Sequence, residues 1–162
     1  VARIRASLSR LTPRFSSNRM LAEYLEHLYL PAAGSFRRRT DNDLRVAREL
    51  RQWMHELHHR WPGIHWGNLE VAPAADGQAF RVPVYLGELA PESVRVELYA
   101  EPRPGAPAER VPLRPGHALS GSAGGFLYVG TVPNGRPAGD YTPRVVPAHA
   151  EAMVPAETRV IP

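Results

Sequence analysis

At Pro62-Gly63 the spacing of the apolar residues changes, and this limits the folds open to the chain. Before that point Val46, Leu50, Trp53, Met54, Leu57 and Trp61 recur every three or four residues, the stripe of an amphipathic helix. After it, apolar and polar residues alternate in short runs at about 64–72, 79–87, 94–100, 110–113, 125–132, 141–147 and 157–161. Turn chemistry separates these runs: Asp76-Gly77, Pro91-Glu92-Ser93, Gly121 to Gly125, and Asn134-Gly135. A helical part followed by many short strands predicts an α+β chain, with N-terminal helices ahead of a small antiparallel immunoglobulin-like β-sandwich. Tyr141, after Gly139-Asp140 and before a strand, is a candidate tyrosine corner. Glu101 to Pro115 carries five prolines and reads as an extended surface loop.

Two more helices are expected upstream. Ile4, Leu8 and Leu11 lie at helical spacing in residues 1–11. Thr12-Pro13 then forces extended backbone before the proline, and Ser16, Ser17 and Asn18 offer caps for a helix at about 17–30. Its stripe is Met20, Leu21, Tyr24, Leu25 and Leu28, and Pro31 is expected to end it. Pro31 to Arg39 reads as a linker, and Thr40-x-x-Asp43 as a capping box opening the helix that runs to Arg60. The segments are therefore 1–33, terminal helices; 34–62, linker and amphipathic helix; and 63–162, a β-sandwich domain. The helix ending at Arg60 has strands to lie on, whereas the one before Pro31 has no obvious mate among these residues.

The formal charge of +4 is unevenly spread. Residues 1–60 hold 12 Arg and 6 acidic residues, and residues 61–162 hold 8 Arg and 10 acidic residues. All 20 basic residues are arginine. Without lysine there is no Schiff base, no P-loop and no lysine general base within this chain. Without cysteine, disulfides, thiolate zinc ligands and thiol nucleophiles are excluded. No apolar run approaches the ~20 residues of a membrane helix, and no signal-peptide core follows Val1. Val1 in place of an initiator Met leads us to expect a piece of a longer protein. Arg37-Arg38-Arg39, with no interleaved aromatics, reads as a solvated basic linker and not as a nucleic-acid footprint.

His55-Glu56-Leu57-His58-His59 matches H-E-x-x-H, in which two histidines on one helical face bind zinc and the glutamate is the general base. At about 100° per residue, His55 and His59 fall opposite Leu50, Trp53 and Leu57, on the solvent side with Arg48 and Gln52. Pro62 stands where the protease pattern expects its turning glycine, so the match of His55, Glu56 and His59 is judged incidental and no metal is expected. His58, at the stripe's edge, is expected to be a partly buried packing residue. Trp53, Trp61 and Trp66 are expected to pack between helix and strands, with Trp66 and Trp61 as candidate sugar-stacking residues. Arg14, Asn18 and Arg19 surround an apolar helix start and are candidate interdomain contacts. No nucleophile elbow and no paired glycosidase carboxylates occur, since Glu23 and Glu26 are ordinary exposed charges.

The wording of one stretch adds to this. RASLSRLTPRFSSNRMLAEYLEHLYLPA carries Leu11-x-Pro13-Arg14-Phe15-Ser16, Asn18-Arg19-Met20, Glu23-Tyr24 and Tyr29-Leu30-Pro31-Ala32. It resembles the segment near the C-terminus of bacterial α-glucan phosphorylases, the branch that removes glucose from maltodextrin or glycogen as glucose 1-phosphate. Shorter words continue the likeness: Leu86-Gly87-x-Leu89-x-Pro91, Val94-x-Val96-Glu97-x-Tyr99 and Tyr141-x-x-Arg144-Val145-x-Pro147.

The resemblance implies a parent glycosyltransferase with two Rossmann-like domains and pyridoxal phosphate held by an upstream lysine. None of those catalytic or cofactor positions falls in this chain. It implies that residues 1–33 end the catalytic body, that a C-terminal β-domain follows, and that the segment alone is inactive. Stability, interdomain bracing, and glucan or subunit binding are its implied roles. The implied partners are the upstream domains, α-glucan and a second copy, with no nucleic acid or membrane, in the cytoplasm. The alternative is an independent β-sandwich that binds carbohydrate or protein; a zinc metalloprotease-like site is the weaker one.

Overall fold

The computed structural model describes residues 1–158 and 160. The chain divides into two compact units, Val1–Glu49 and Leu50–Pro162.

The first unit is helical. Helix α1 spans Ala2–Arg14, with Pro13 in its last turn. Of the three candidate caps for α2 (Ser17–Tyr24), Ser16 takes the role: its backbone is extended and its hydroxyl accepts from the Arg19 N–H at 3.2 Å. Pro31 does not end the helical run. Leu25–Tyr29 winds as a wider π-turn, in which the Leu30 N–H donates to the Leu25 carbonyl, and α3 (Leu30–Arg60) follows directly. A proline removes one helical donor and crowds the carbonyl four residues back, and a widened turn relieves both. The expected linker at 31–39 is therefore helical.

Helix α3 is interrupted instead at Asp41–Leu44, where Asn42, Asp43 and Leu44 take left-handed backbone angles. Asn and Asp enter that region more readily than other side chains, so the break falls where the sequence tolerates it. The Thr40 hydroxyl donates back to the carbonyls of Phe36 at 2.9 Å and Arg37 at 3.2 Å. Thr40 thus closes the helix before the break, and the expected capping box with Asp43 does not form. No residue of α1, α2 or the π-turn is buried. Ile4, Leu8, Leu11, Phe15, Met20, Leu21, Tyr24, Leu25 and Leu28 are all exposed.

The second unit opens with the last turns of α3. Leu50, Trp53 and Leu57 are buried, as the stripe predicts. Met54 lies at its exposed margin, and His58 is exposed where partial burial was expected. The strands are β1 (His65–Trp66), β2 (Glu70–Ala74), β3 (Gly77–Tyr85), β4 (Val94–Ala100), β5 (Glu109–Pro112), β6 (Arg114–Ala118), β7 (Gly125–Pro133) and β8 (Thr142–Pro147). One sheet has the order β1-β3-β7-β6, with β2 also paired to β3, and the other has the order β5-β4-β8. Every pairing is antiparallel.

Alternation along the strands builds one core. Phe80, Val82 and Val84 of β3, Val96, Leu98 and Ala100 of β4, and Tyr128 and Val132 of β7 are buried. The Phe80 and Tyr141 rings meet edge to face at 5.9 Å, joining the two sheets' residues. Gly130 sits between Tyr128 and Val132, where a Cβ would lie 2.5 Å from Leu113 Cδ2; its missing side chain makes room for Leu113. The expected loop at 101–115 ends earlier than its prolines suggest. Chain from Glu109 pairs in β5, turns at Leu113, whose N–H donates to Val96 O, and re-enters the other sheet as β6. Both strands lie at sheet edges, where proline is tolerated. In the run expected at 157–161, Glu157, Thr158 and Val160 are not in a strand, and the remainder lies outside the described residues.

Candidate functional site

Each residue singled out in the sequence has a definite place. Arg14, Asn18 and Arg19 are exposed at the junction of α1 and α2. The Arg14 guanidinium lies 5.9 Å from the Phe15 ring, and Arg19 pairs with Glu23 at 3.0 Å. They border exposed Phe15, Met20 and Leu21, so a polar rim edges an apolar surface.

On α3 the His55 and His59 rings lie 4.2 Å apart, edge to face. Glu56 accepts from Gln52 at 3.0 Å and faces Arg60 at 3.7 Å. In β1, the His65 ring stacks on Tyr85 at 4.6 Å and its Nδ1 lies 3.1 Å from Gly63 O. No group of three or more metal-ligating side chains forms among the described residues. Glu56 in particular is occupied by helix-face partners.

The tryptophans separate. Trp53 is the core residue: its indole N–H donates to Ser93 O at 3.3 Å, and His149 lies 5.3 Å from it. Trp61 is half-buried, and Trp66 is 37 % exposed at the edge of the first sheet, opposite Val84. The His65–Tyr85 pair, one residue along in each strand, stacks on the opposite face of that sheet.

Two charged clusters in the sheets went unnoticed as sites in the sequence. In the first, Arg136 is 5 % exposed by side chain. Its Nε donates to Asp140 at 3.1 Å, and its remaining nitrogens reach Glu109 and the Glu101 carbonyl. The Tyr141 hydroxyl donates to Glu109 at 2.6 Å. Tyr141 thus bonds a carboxylate on β5, not the upstream backbone that a tyrosine corner would use. Burial raises the Tyr141 phenol above its ordinary value, and its hydrogen bond to Glu109 adds to the rise. The cluster ties β5 to the turn before β8 and is fully engaged in doing so.

The second cluster covers the outer face of the three-stranded sheet. Arg95, Glu97 and Tyr99 alternate onto that face from β4; Arg144 comes from β8 opposite Glu97, and Arg110 from β5 opposite Tyr99. Glu97 is 2 % exposed. Its Oε1 accepts from Arg144 through Nε at 2.8 Å and lies 2.6 Å from its terminal nitrogen, while its Oε2 accepts from Arg95 Nε at 2.9 Å. Burial pushes this carboxyl up, but the bonds and charges of Arg144 and Arg95 together outweigh it and hold its pKa below the ordinary 4.5. The Arg144 guanidinium stacks on Tyr99 at 4.1 Å. The only sequence signal for this cluster was the alternation Arg95-x-Glu97-x-Tyr99 on one strand. Its partners on β5 and β8 depend on register, which the sequence does not display.

Neither cluster joins a nucleophile to a general base; both position guanidinium donors. Among the described residues no helix is long and apolar enough to cross a membrane.

Comparison with known proteins places these features in context. The family described as glycogen phosphorylase C-terminal domain matches residues 61–162. The chain is 30% identical over 159 residues to a protein named glycogen phosphorylase from Mycobacterium tuberculosis (strain CDC 1551 / Oshkosh), covering 92% of this chain and 18% of that relative. It is 27% identical over 152 residues to a maltodextrin phosphorylase from Thermococcus litoralis, covering 90% of this chain and again 18% of the relative. This chain therefore spans less than a fifth of the length of the relatives it matches. No solved structure matches it significantly.

Proposed function

This chain belongs to the glycogen phosphorylase C-terminal domain family, and on that premise we propose that it is the non-catalytic C-terminal segment of an α-glucan phosphorylase. The parent would release glucose 1-phosphate from an α-1,4-glucan with inorganic phosphate. The match to only 18% of the length of each relative carries this reading. The parent's catalytic body would be two Rossmann-like domains ending in residues 1–33, in the cytoplasm. Pyridoxal phosphate would be held there and not here, since a chain without lysine offers no Schiff-base partner. The β-domain would be an immunoglobulin-like sandwich, a reading supported by two antiparallel sheets around one core.

The segment's role is stability and interdomain bracing. The exposed apolar side chains of α1 and α2, rimmed by Arg14, Asn18 and Arg19, support this, as such a surface calls for a partner. The upstream domains are the partner we favour over a second copy of the chain. The test is phosphate-dependent release of glucose 1-phosphate from maltoheptaose, measured for the 162-residue chain and for the longer parent. Activity is expected in the parent and none in the chain. Turnover by the chain alone would end this reading.

A second role, glucan binding by the β-domain, is favoured by the exposure of Trp66 at the edge of the first sheet. Calorimetric titration of the chain with maltoheptaose tests it. Heat that disappears in Trp66→Ala supports sugar stacking there; absence of heat removes glucan from the list of partners.

A further inference from the structure

The outer face of the β5-β4-β8 sheet holds more guanidinium than its own carboxylate neutralises. A groove of about 220 Å³ opens there, lined by Arg95, Glu97, Arg110, Arg144, Val154 and Pro155 among others. Glu97 occupies both of its oxygens on Arg95 and Arg144. Its charge cancels one of three arginines, leaving the groove lining at a formal +2. The Arg110 side chain forms no hydrogen bond or ion pair among the described residues.

The arrangement differs from a scatter of surface charge in three respects. The Arg144 guanidinium is fixed in orientation on two sides, by Tyr99 beneath it and by Glu97 at its edge. A fork held in this way loses little freedom when it binds. The donors of Arg95 and Arg144 that Glu97 leaves unused remain available to a ligand, since each guanidinium carries five N–H groups. Finally, Val154 and Pro155 wall one side of the groove, so an anion there is partly shielded from water, where charge-assisted bonds are stronger.

We propose that this groove binds a phosphate group, as free inorganic phosphate or as a small phosphate monoester. A phosphate monoester carries about −1.5 to −2 charge at pH 7, which matches a lining of +2 better than a single carboxylate does. Its three oxygens can each accept from a different guanidinium, and Arg110, unpartnered, supplies the donors that nothing else on the sheet uses. The site stands on the β-domain's geometry and does not depend on the phosphorylase reading.

The test is a titration of the full 162-residue chain followed by two-dimensional amide NMR. The probes are inorganic phosphate, glucose 1-phosphate and acetate, at constant ionic strength. Saturable shifts confined to β4, β5, β8 and residues 153–156 are expected with at least one phosphate probe, with acetate at least about tenfold weaker. Response to inorganic phosphate identifies the free ion as ligand; response to glucose 1-phosphate alone identifies a monoester. Arg110→Gln, which breaks no bond in the fold, is expected to weaken binding about tenfold. Arg114→Gln, an equal loss of charge on the other sheet, should leave it unchanged. The proposal is overturned if neither phosphate saturates, if acetate binds as well, or if R114Q weakens binding as much as R110Q. Thermal melts of both variants confirm that they remain folded.

Discussion

Glu97 shows how a buried charge is kept in a small β-domain. A carboxylate that is 2 % exposed is tolerable only with partners, and Arg95 and Arg144 supply them from two strands. Glu97→Gln keeps the shape but removes the charge, and it replaces one of the two acceptor oxygens with an NH2 donor that faces a guanidinium. Because both arginines keep some contact with water, we expect a loss of about 1–3 kcal/mol in urea unfolding, below the full cost of a buried orphan charge. The pH dependence has a fixed sign. The folded pKa lies below 4.5, so the unfolded chain binds the extra proton in the window beneath that value. The contribution is complete above pH 4.5 and disappears as pH falls through the folded pKa, and E97Q should flatten that part of the stability curve. Tyr141 behaves in the opposite sense. Its folded pKa is raised above 10.0, so its contribution is complete below pH 10 and is lost as pH rises through the folded value. Tyr141→Phe removes the hydroxyl from Glu109 and should cost about 1–2 kcal/mol at neutral pH.

At the scale of elements, the features written in local spacing were legible. Leu50, Trp53 and Leu57 announced the buried stripe of α3, and alternation located β3, β4 and β7. Leu57, fully buried, should lose about 2–5 kcal/mol on truncation to Ala, measured by chemical denaturation. What failed to show depended on non-local partners or on unusual backbone. Pro31 looked like a stop because a π-turn that absorbs a proline leaves no mark on hydrophobic period. Thr40 and Asp43 matched a capping box, yet Thr40 ends the helix before the break and Asp43 is one of the left-handed residues within it. The sheet change at Leu113 lay inside a proline-rich run, and the partners of Glu97 depended on strand register. Gly124 gives a test of turn geometry. It has φ +70, and a Cβ there would lie 2.0 Å from Gly87 O. Gly124→Ala must therefore displace backbone at the junction before β7 and should lower the melting temperature by several degrees, as a loss of about 1–3 kcal/mol would.

For the whole molecule, the two units differ in kind. Leu50–Pro162 buries a core of its own, whereas α1 and α2 bury nothing. The α+β order was readable from the shift at Pro62-Gly63, and the exposed face of the first helices from their lack of a mate within the sequence. The candidate sites were less readable. His55, Glu56 and His59 formed the clearest motif, yet the structure commits Glu56 to Gln52 and Arg60. Removing residues 1–44, which cuts at the break in α3, should leave the β-unit folded, with a cooperative melt close to that of the full chain. On the function proposed above, the other domains of a longer phosphorylase cover α1 and α2. Hydrogen exchange over residues 1–31 in the isolated chain and in the longer parent tests it most directly. We predict rapid exchange in the isolated chain and strong protection in the parent; equally rapid exchange in both would contradict the account.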